Sequence, residues 1–238
     1  MKRTMIASLG IWLAASAVSM AAEARAVAIA SQGGSAIATS TAVGRASSDA
    51  YAVATRGGHA VSDSVAYGLG RGTARSSSIA VADSGVARSR SEAIADGRFG
   101  GLASASSDSV AATIGGVALS NSRARADGRT FGVAESISRS EALSRYGVAT
   151  SDSSAISRGE LGGRARSDSQ AFSDAWGGRA DSRVSAISDG SLHGSASANG
   201  LGVSVTRGLR SARSNVSAYS SASRWANSRA DVAGIEIR

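Results

Sequence analysis

The 238-residue chain has no cysteine and no proline, one lysine, two histidines and only 4% aromatic residues. Without cysteine there is no disulfide framework and no thiolate metal site, so the redox compartment leaves no mark on the chain. Apolar residues make up 42%, but much of that is alanine, so no thick core of large side chains can form. His59 and His193 lie far apart in the repeat described below, and no Gly-x-Ser-x-Gly elbow is paired with a base. Asp and Glu are plentiful, but they follow the repeat, whereas a catalytic carboxylate pair would break it. The expectation is no enzyme, no catalytic residue, no metal and no cofactor.

Long apolar runs are also missing. The longest stretch, Ile6 to Val18, is shorter than the roughly 20 residues that span a bilayer. Preceded by Lys2 and Arg3 and followed by small residues, it reads as a secretory signal peptide over residues 1–26. Cleavage is expected after Ala24 or Ala26, leaving a mature chain with no transmembrane segment. The net charge is +8, and basicity alone would suggest an anionic partner. The Arg, however, are interleaved with Asp and Glu along the whole length, so nucleic acid is not expected.

What the chain does have is a Gly-x-Ala step starting at Gly44, Gly58, Gly72, Gly85, Gly101, Gly116, Gly132, Gly147, Gly163, Gly178 and Gly194, spaced by 13 to 16 residues. Helical-hairpin, ankyrin and propeller repeats need about 30 residues or more. The spacing predicts an all-β, parallel β-solenoid (β-roll) over residues 27–208, with coils of about 14–16 residues paired as a 31-residue repeat. Residues 209–238 depart from the repeat around Trp225 and are expected to form a cap or irregular last coils.

Within each step small residues alternate with all others, the period-2 signature of a strand. Ala87, Ser89, Ser91, Ala93 and Ala95 alternate with Arg88, Arg90, Glu92, Ile94 and Asp96. Burying the charges in a narrow coil would cost several kcal/mol each, so the Ala/Ser phase must face inward. Two such sheets can approach more closely than the usual ~10 Å, and the inward serines need carbonyl or hydroxyl partners. Asp96-Gly97, Asp127-Gly128 and Asp189-Gly190 read as tight turns. They lack the dense Gly-Gly-x-Gly-x-Asp spacing of calcium β-rolls.

Two columns of larger apolar residues remain. Phe99, Ile114, Phe131, Tyr146, Leu161, Trp176 and Leu192 precede the glycines and form either a spine sealing one edge or an exposed ladder. Ile79, Ile94, Val110, Ile156, Phe172, Ile187 and Val203 lie in the outward phase, with Arg125 breaking the run. A long outward apolar stripe marks an interface, so these seven are the candidate self-association stripe.

Asp63-Ser64-Val65-Ala66-Tyr67-Gly68, Ser77-Ser78-Ile79-Ala80-Val81-Ala82 and Ser91-Glu92-Ala93-Ile94-Ala95-Asp96-Gly97, each followed by a Gly-x-Ala step, resemble the head repeats of YadA-like trimeric autotransporter adhesins. The resemblance covers roughly residues 35–195. It implies a parallel β-roll that packs as a trimeric head and binds host matrix, glycan or a cell-surface component. No heptad stalk or barrel strands follow the repeats, so the expectation is a stand-alone exported solenoid, secreted or at the cell surface, that mediates attachment. The alternative is a self-assembling extracellular fibre or matrix subunit, similar in role to the curlins but without their Gln/Asn ladders.

Overall fold

The computed structural model describes residues 18–31, 33–69, 73–97, 102–128, 133–159, 164–190, 195–207, 211–222 and 227–237. They form β1 (Val18–Ala30), β2 (Ser35–Ala54), β3 (His59–Gly68), β4 (Thr73–Asp83), β5 (Val86–Gly97), β6 (Leu102–Ile114) and β7 (Val117–Gly128). The second half of the chain adds β8 (Val133–Arg145), β9 (Val148–Gly159), β10 (Arg164–Trp176), β11 (Arg179–Gly190), β12 (Ser195–Arg207), β13 (Ala212–Ala222) and β14 (Asn227–Ile237). Every ladder is parallel.

From β3 onward odd strands stack on odd and even on even. The back sheet runs from the first half of β2 through β3, β5, β7, β9 and β11 to β13. The front sheet runs from β1 through the second half of β2, then β4, β6, β8, β10 and β12 to β14. β2 belongs to both: Ser35 to Gly44 pair with β3, and Ala46 to Ala54 pair with β4. The molecule is therefore a two-sheet β-solenoid. Val86 pairs with Val117, Val117 with Val148, and Val148 with Arg179, so the 31-residue unit is the coil from Thr73 to the last turns. The first coils are shorter: Ser35 pairs with His59 and His59 with Val86. Each 14–16-residue step is one strand with its turn, half of a coil, and stacking partners lie two steps apart.

The inward phase is alanine and serine, as the alternation requires, and almost all of it is buried. One line of serines zigzags between the sheets: Ser64, Ser76, Ser91, Ser107, Ser122, Ser138, Ser153 and Ser169 are joined Oγ to Oγ at 2.9–3.0 Å. Most also donate to the carbonyl of the preceding serine, as Ser107 does to Ser91 at 2.7 Å. A two-atom side chain that reaches the main chain of the opposite sheet holds the sheets far closer than the ~10 Å of ordinary sandwiches. These bonds cross between sheets. Others, such as Ser173 to Ser204 at 3.1 Å, run one coil along the same sheet.

The line ends after Ser169, where the stacked positions become Val184 and Val216 in the back sheet and Gly200 in the front. A Cβ on Gly200 would lie 2.9 Å from Val216 Cγ1 and 3.2 Å from Val184 Cγ1. Larger residues on one sheet are thus matched by loss of a side chain on the other.

At the turns from front to back sheet, Gly58, Gly85, Gly116, Gly147 and Gly178 stack on one another, each against the backbone of the last. Val117 N and Val148 N donate to the carbonyls of Gly85 and Gly116, both at 3.0 Å. Asp96-Gly97, Asp127-Gly128 and Asp189-Gly190 close β5, β7 and β11, and the residues after them lie outside those described. β1 begins at Val18, inside the segment read as a leader. The described part of 209–238 continues the ladders as β13 on β11 and β14 on β12. Trp225 lies outside the described residues.

Candidate interaction surface

Because side chains alternate across a strand, the outward phase of each sheet forms columns along the solenoid. The seven stripe residues do not fall in one column. Ile79, Val110, Phe172 and Val203 stack on the front sheet, with Glu141 between Val110 and Phe172. Ile94, Ile156 and Ile187 stack on the opposite, back sheet, with Arg125 between the first two. The expected single stripe is corrected to two, because consecutive 14–16-residue steps alternate between sheets.

The front column is the broader feature. It extends to Tyr51 and Val27 at one end and Ile235 at the other. Two residues along lies a second column that sequence reasoning missed: Ile29, Val53, Val81, Ala112, Leu143, Asp174, Val205 and Ile237. The front strands are therefore divided. Their leading halves carry mainly polar and charged outward residues, such as Arg45, Ser47 and Asp49. Their trailing halves are mainly apolar in the first two columns, interrupted by Glu141 and Asp174, while in the last column Asp83 and Arg145 alternate with Ile114 and Trp176. Two shallow depressions mark the apolar half. Arg139, Glu141 and Phe172 help to line one, and Leu143, Arg145, Asp174 and Trp176 the other.

The apolar half ends at the turns with Ile114, Tyr146 and Trp176, all exposed. In the described residues, then, the glycine-flanking column is an exposed ladder and not a sealed spine; Phe99, Phe131, Leu161 and Leu192 lie outside them. The Arg145 guanidinium sits 5.2 Å from the Trp176 ring centroid. Tyr146 has φ 62°, where Gly115 and Gly177 occupy the equivalent turns at 72° and 67°. An L-residue there costs about 1–2 kcal/mol, and at 66% exposure Tyr146 recovers little of it by burial.

Charge is balanced on both faces. Seventeen basic and seventeen acidic residues lie within the strands, so the whole net charge of +8 comes from the segments between strands and the ends of the chain. Neighbours two apart pair along a strand: Arg125 with Asp127 and Arg166 with Asp168, each at 2.9 Å, and Arg179 with Asp181 at 2.8 Å. Such exposed pairs contribute ~0–1 kcal/mol each.

Two carboxyls are perturbed. Burial pushes Asp108 above its ordinary range, opposed by Arg139 on the next strand. Burial also raises Asp152, with Arg183 opposing and Asp181 adding to the rise. The Oδ1 atoms of both lack a hydrogen-bond partner, and Arg183 approaches Asp152 only to 4.0 Å.

Among the described residues no group of three His, Asp or Glu could hold a metal ion, and no helix is long and apolar enough to cross a membrane. No family model, curated protein or solved structure matches the chain.

Proposed function

We propose that this β-solenoid is an exported, adhesin-like surface or extracellular structural protein that mediates attachment by repetitive display. The observation that carries the reading is the set of outward columns, in which one register position recurs strand after strand. Aligned weak contacts add by avidity without a single strong site. The carboxylates follow the same repeat, which suits a scaffold and not an enzyme, and no cofactor enters the mechanism. Lys2, Arg3 and the apolar stretch that follows supply the export signal, and the resemblance to YadA-like head repeats points to host matrix, glycan or cell-surface partners.

The test fractionates cells that express the full chain, sequences the N-terminus of the released form, and measures cell attachment to surfaces coated at graded density. A new N-terminus after Ala24 or Ala26, with attachment rising more steeply than coating density, is the expected result. An intact N-terminus on protein retained in the cytoplasm would overturn the export reading, and coated surfaces that hold no cells would overturn attachment.

A second reading, a self-assembling extracellular fibre or matrix subunit, is favoured by the apolar half of the front sheet, which is half-buried in the single chain and exposed along its edge at Ile114 and Trp176. That surface offers chains a place to associate.

A further inference from the structure

We propose that copies of this chain associate with one another through the apolar half of the front sheet, centred on Ile79, Val110 and Phe172 and bordered by Tyr146 and Trp176.

Three observations converge on a second copy as the occupant. The first is area. From β2 to β12 the apolar half spans six strands about 4.8 Å apart and roughly half of each strand's length, on the order of 500 Å². With a rim from the polar half of the same sheet it approaches the roughly 800 Å² per partner of a standard interface.

The second is charge. The front strands carry nine basic and ten acidic residues, so two identical faces meet with almost no net repulsion, whereas an anionic polymer or acidic bilayer gains little from approaching them. The acids inside the apolar half have bases beside them: Glu141 shares a depression with Arg139, and Asp83 and Asp174 both lie with Arg145 in the other. The face carries its own counter-charges.

The third is the turn at Tyr146. The chain places glycine at this position in the coils immediately before and after, and Ser84, also at positive φ, one coil earlier still. At Tyr146 the strained position instead carries an exposed aromatic ring beside the Arg145–Trp176 contact. Backbone strain of this kind persists where a side chain serves something beyond the local fold. At the rim of an apolar face, contact with a partner supplies that use.

The back sheet provides the internal control. Ile94 is outward and half-buried like Ile79. Its column continues to Tyr67 and Tyr219 and breaks once, at Arg125, as the front column breaks at Glu141. The difference lies two residues along, where the back sheet carries Asp96, Asp127, Arg158 and Asp189 in place of a second apolar column. Association through the front sheet therefore predicts different outcomes for the same substitution on the two faces.

The experiment is analytical ultracentrifugation of the purified full chain from low micromolar to several hundred micromolar, with Ile79→Glu, Ile94→Glu and Tyr146→Gly in parallel. Expected is a wild-type oligomer whose dissociation constant rises at least tenfold in Ile79→Glu and is unchanged in Ile94→Glu, with circular dichroism the same for all. Tyr146→Gly should raise the unfolding midpoint of the dissociated chain and still weaken association. A wild-type monomer at every concentration overturns the proposal, as does equal disruption by Ile94→Glu. Co-sedimentation of monomer with phosphatidylcholine–phosphatidylserine vesicles, lost in Ile79→Glu, would assign the face to a membrane and also overturn it. The inference rests on the fold and not on the attachment reading: a monomer that still holds cells would sink the former and leave the latter standing.

Discussion

Two adjacent glycines offer a direct test of what holds the coils together. Gly115 has φ 72°, and a Cβ there would meet nothing closer than Ser84 Oγ at 3.9 Å. Replacing it by alanine should cost only the left-handed backbone penalty, about 1–2 kcal/mol. In Gly116 a Cβ would overlap the Gly85 carbonyl oxygen and lie 2.8 Å from both its carbon and Thr113 Oγ1. Relief requires the two coils to part at this point, which breaks the 3.0 Å bond from Val117 N to Gly85 O. An unmade buried hydrogen bond costs about 1–3 kcal/mol, and overpacking adds about 1–3 kcal/mol, so Gly116→Ala should lose roughly 2–6 kcal/mol. Urea denaturation followed by far-UV circular dichroism measures both variants. Solenoid stability sums over neighbouring repeats, so broadening of the Gly116→Ala transition, with separate melting on the two sides, is also expected. If Gly116→Ala is no more destabilised than Gly115→Ala, close stacking of the glycine column does not hold the turns.

Other predictions follow from the interior and from the two perturbed carboxyls. Ser122→Ala should cost ~1 kcal/mol, because Ser138 keeps its bond to the Ser122 carbonyl at 2.8 Å. Ser122→Val should cost ~1–3 kcal/mol from overpacking alone, and equal midpoints for the two variants would refute the close approach of the sheets. Gly200→Ser should destabilise in the native background and be rescued by Val184→Ser with Val216→Ser, so additive effects in a thermodynamic cycle would show that these positions do not touch. The folded-state pKa of Asp108 and Asp152 lies above the ordinary 3.8. The stability linked to their protonation is therefore complete below pH 3.8 and is lost as pH rises through the folded values. Asp108→Asn and Asp152→Asn should then raise the unfolding midpoint near neutral pH and have little effect below pH 3.8; the reverse order would refute the burial argument.

The solenoid was legible because the inward–outward alternation is strict and the 31-residue recurrence holds through the middle coils. Alternation set which residues face inward, and the 31-residue recurrence set the coil. The interaction surface was harder to read, because side chains two residues apart share a face only within one sheet. Tracing Ile79, Ile94 and Val110 in 15- and 16-residue steps crosses from front to back and to front again. Tracing Val81, Ala112, Leu143 and Val205 at multiples of 31 finds the missed column. The strain at Tyr146 was not legible, because tyrosine does not announce a positive φ. Only the glycines 31 residues to either side, Gly115 and Gly177, could have signalled it.

The serine line explains how so thin a core can specify one register. Alanine alone buries little apolar area per residue, which at about 25 cal/mol per Å² stabilises weakly, and two alanine sheets could slide past each other with little penalty. A serine donating to the opposite main chain cannot slide without leaving a buried hydroxyl unpaired, at about 1–3 kcal/mol each. The alternation of Ser76, Ser91, Ser107 and Ser122 between sheets thus fixes the sheets relative to each other at every half-coil. Where the line stops, the Val216–Gly200 fit fixes the sheets by shape instead. With register set from within, the outward positions are free to vary, and a near-neutral, half-apolar front sheet can be maintained along the solenoid without weakening the coil that carries it.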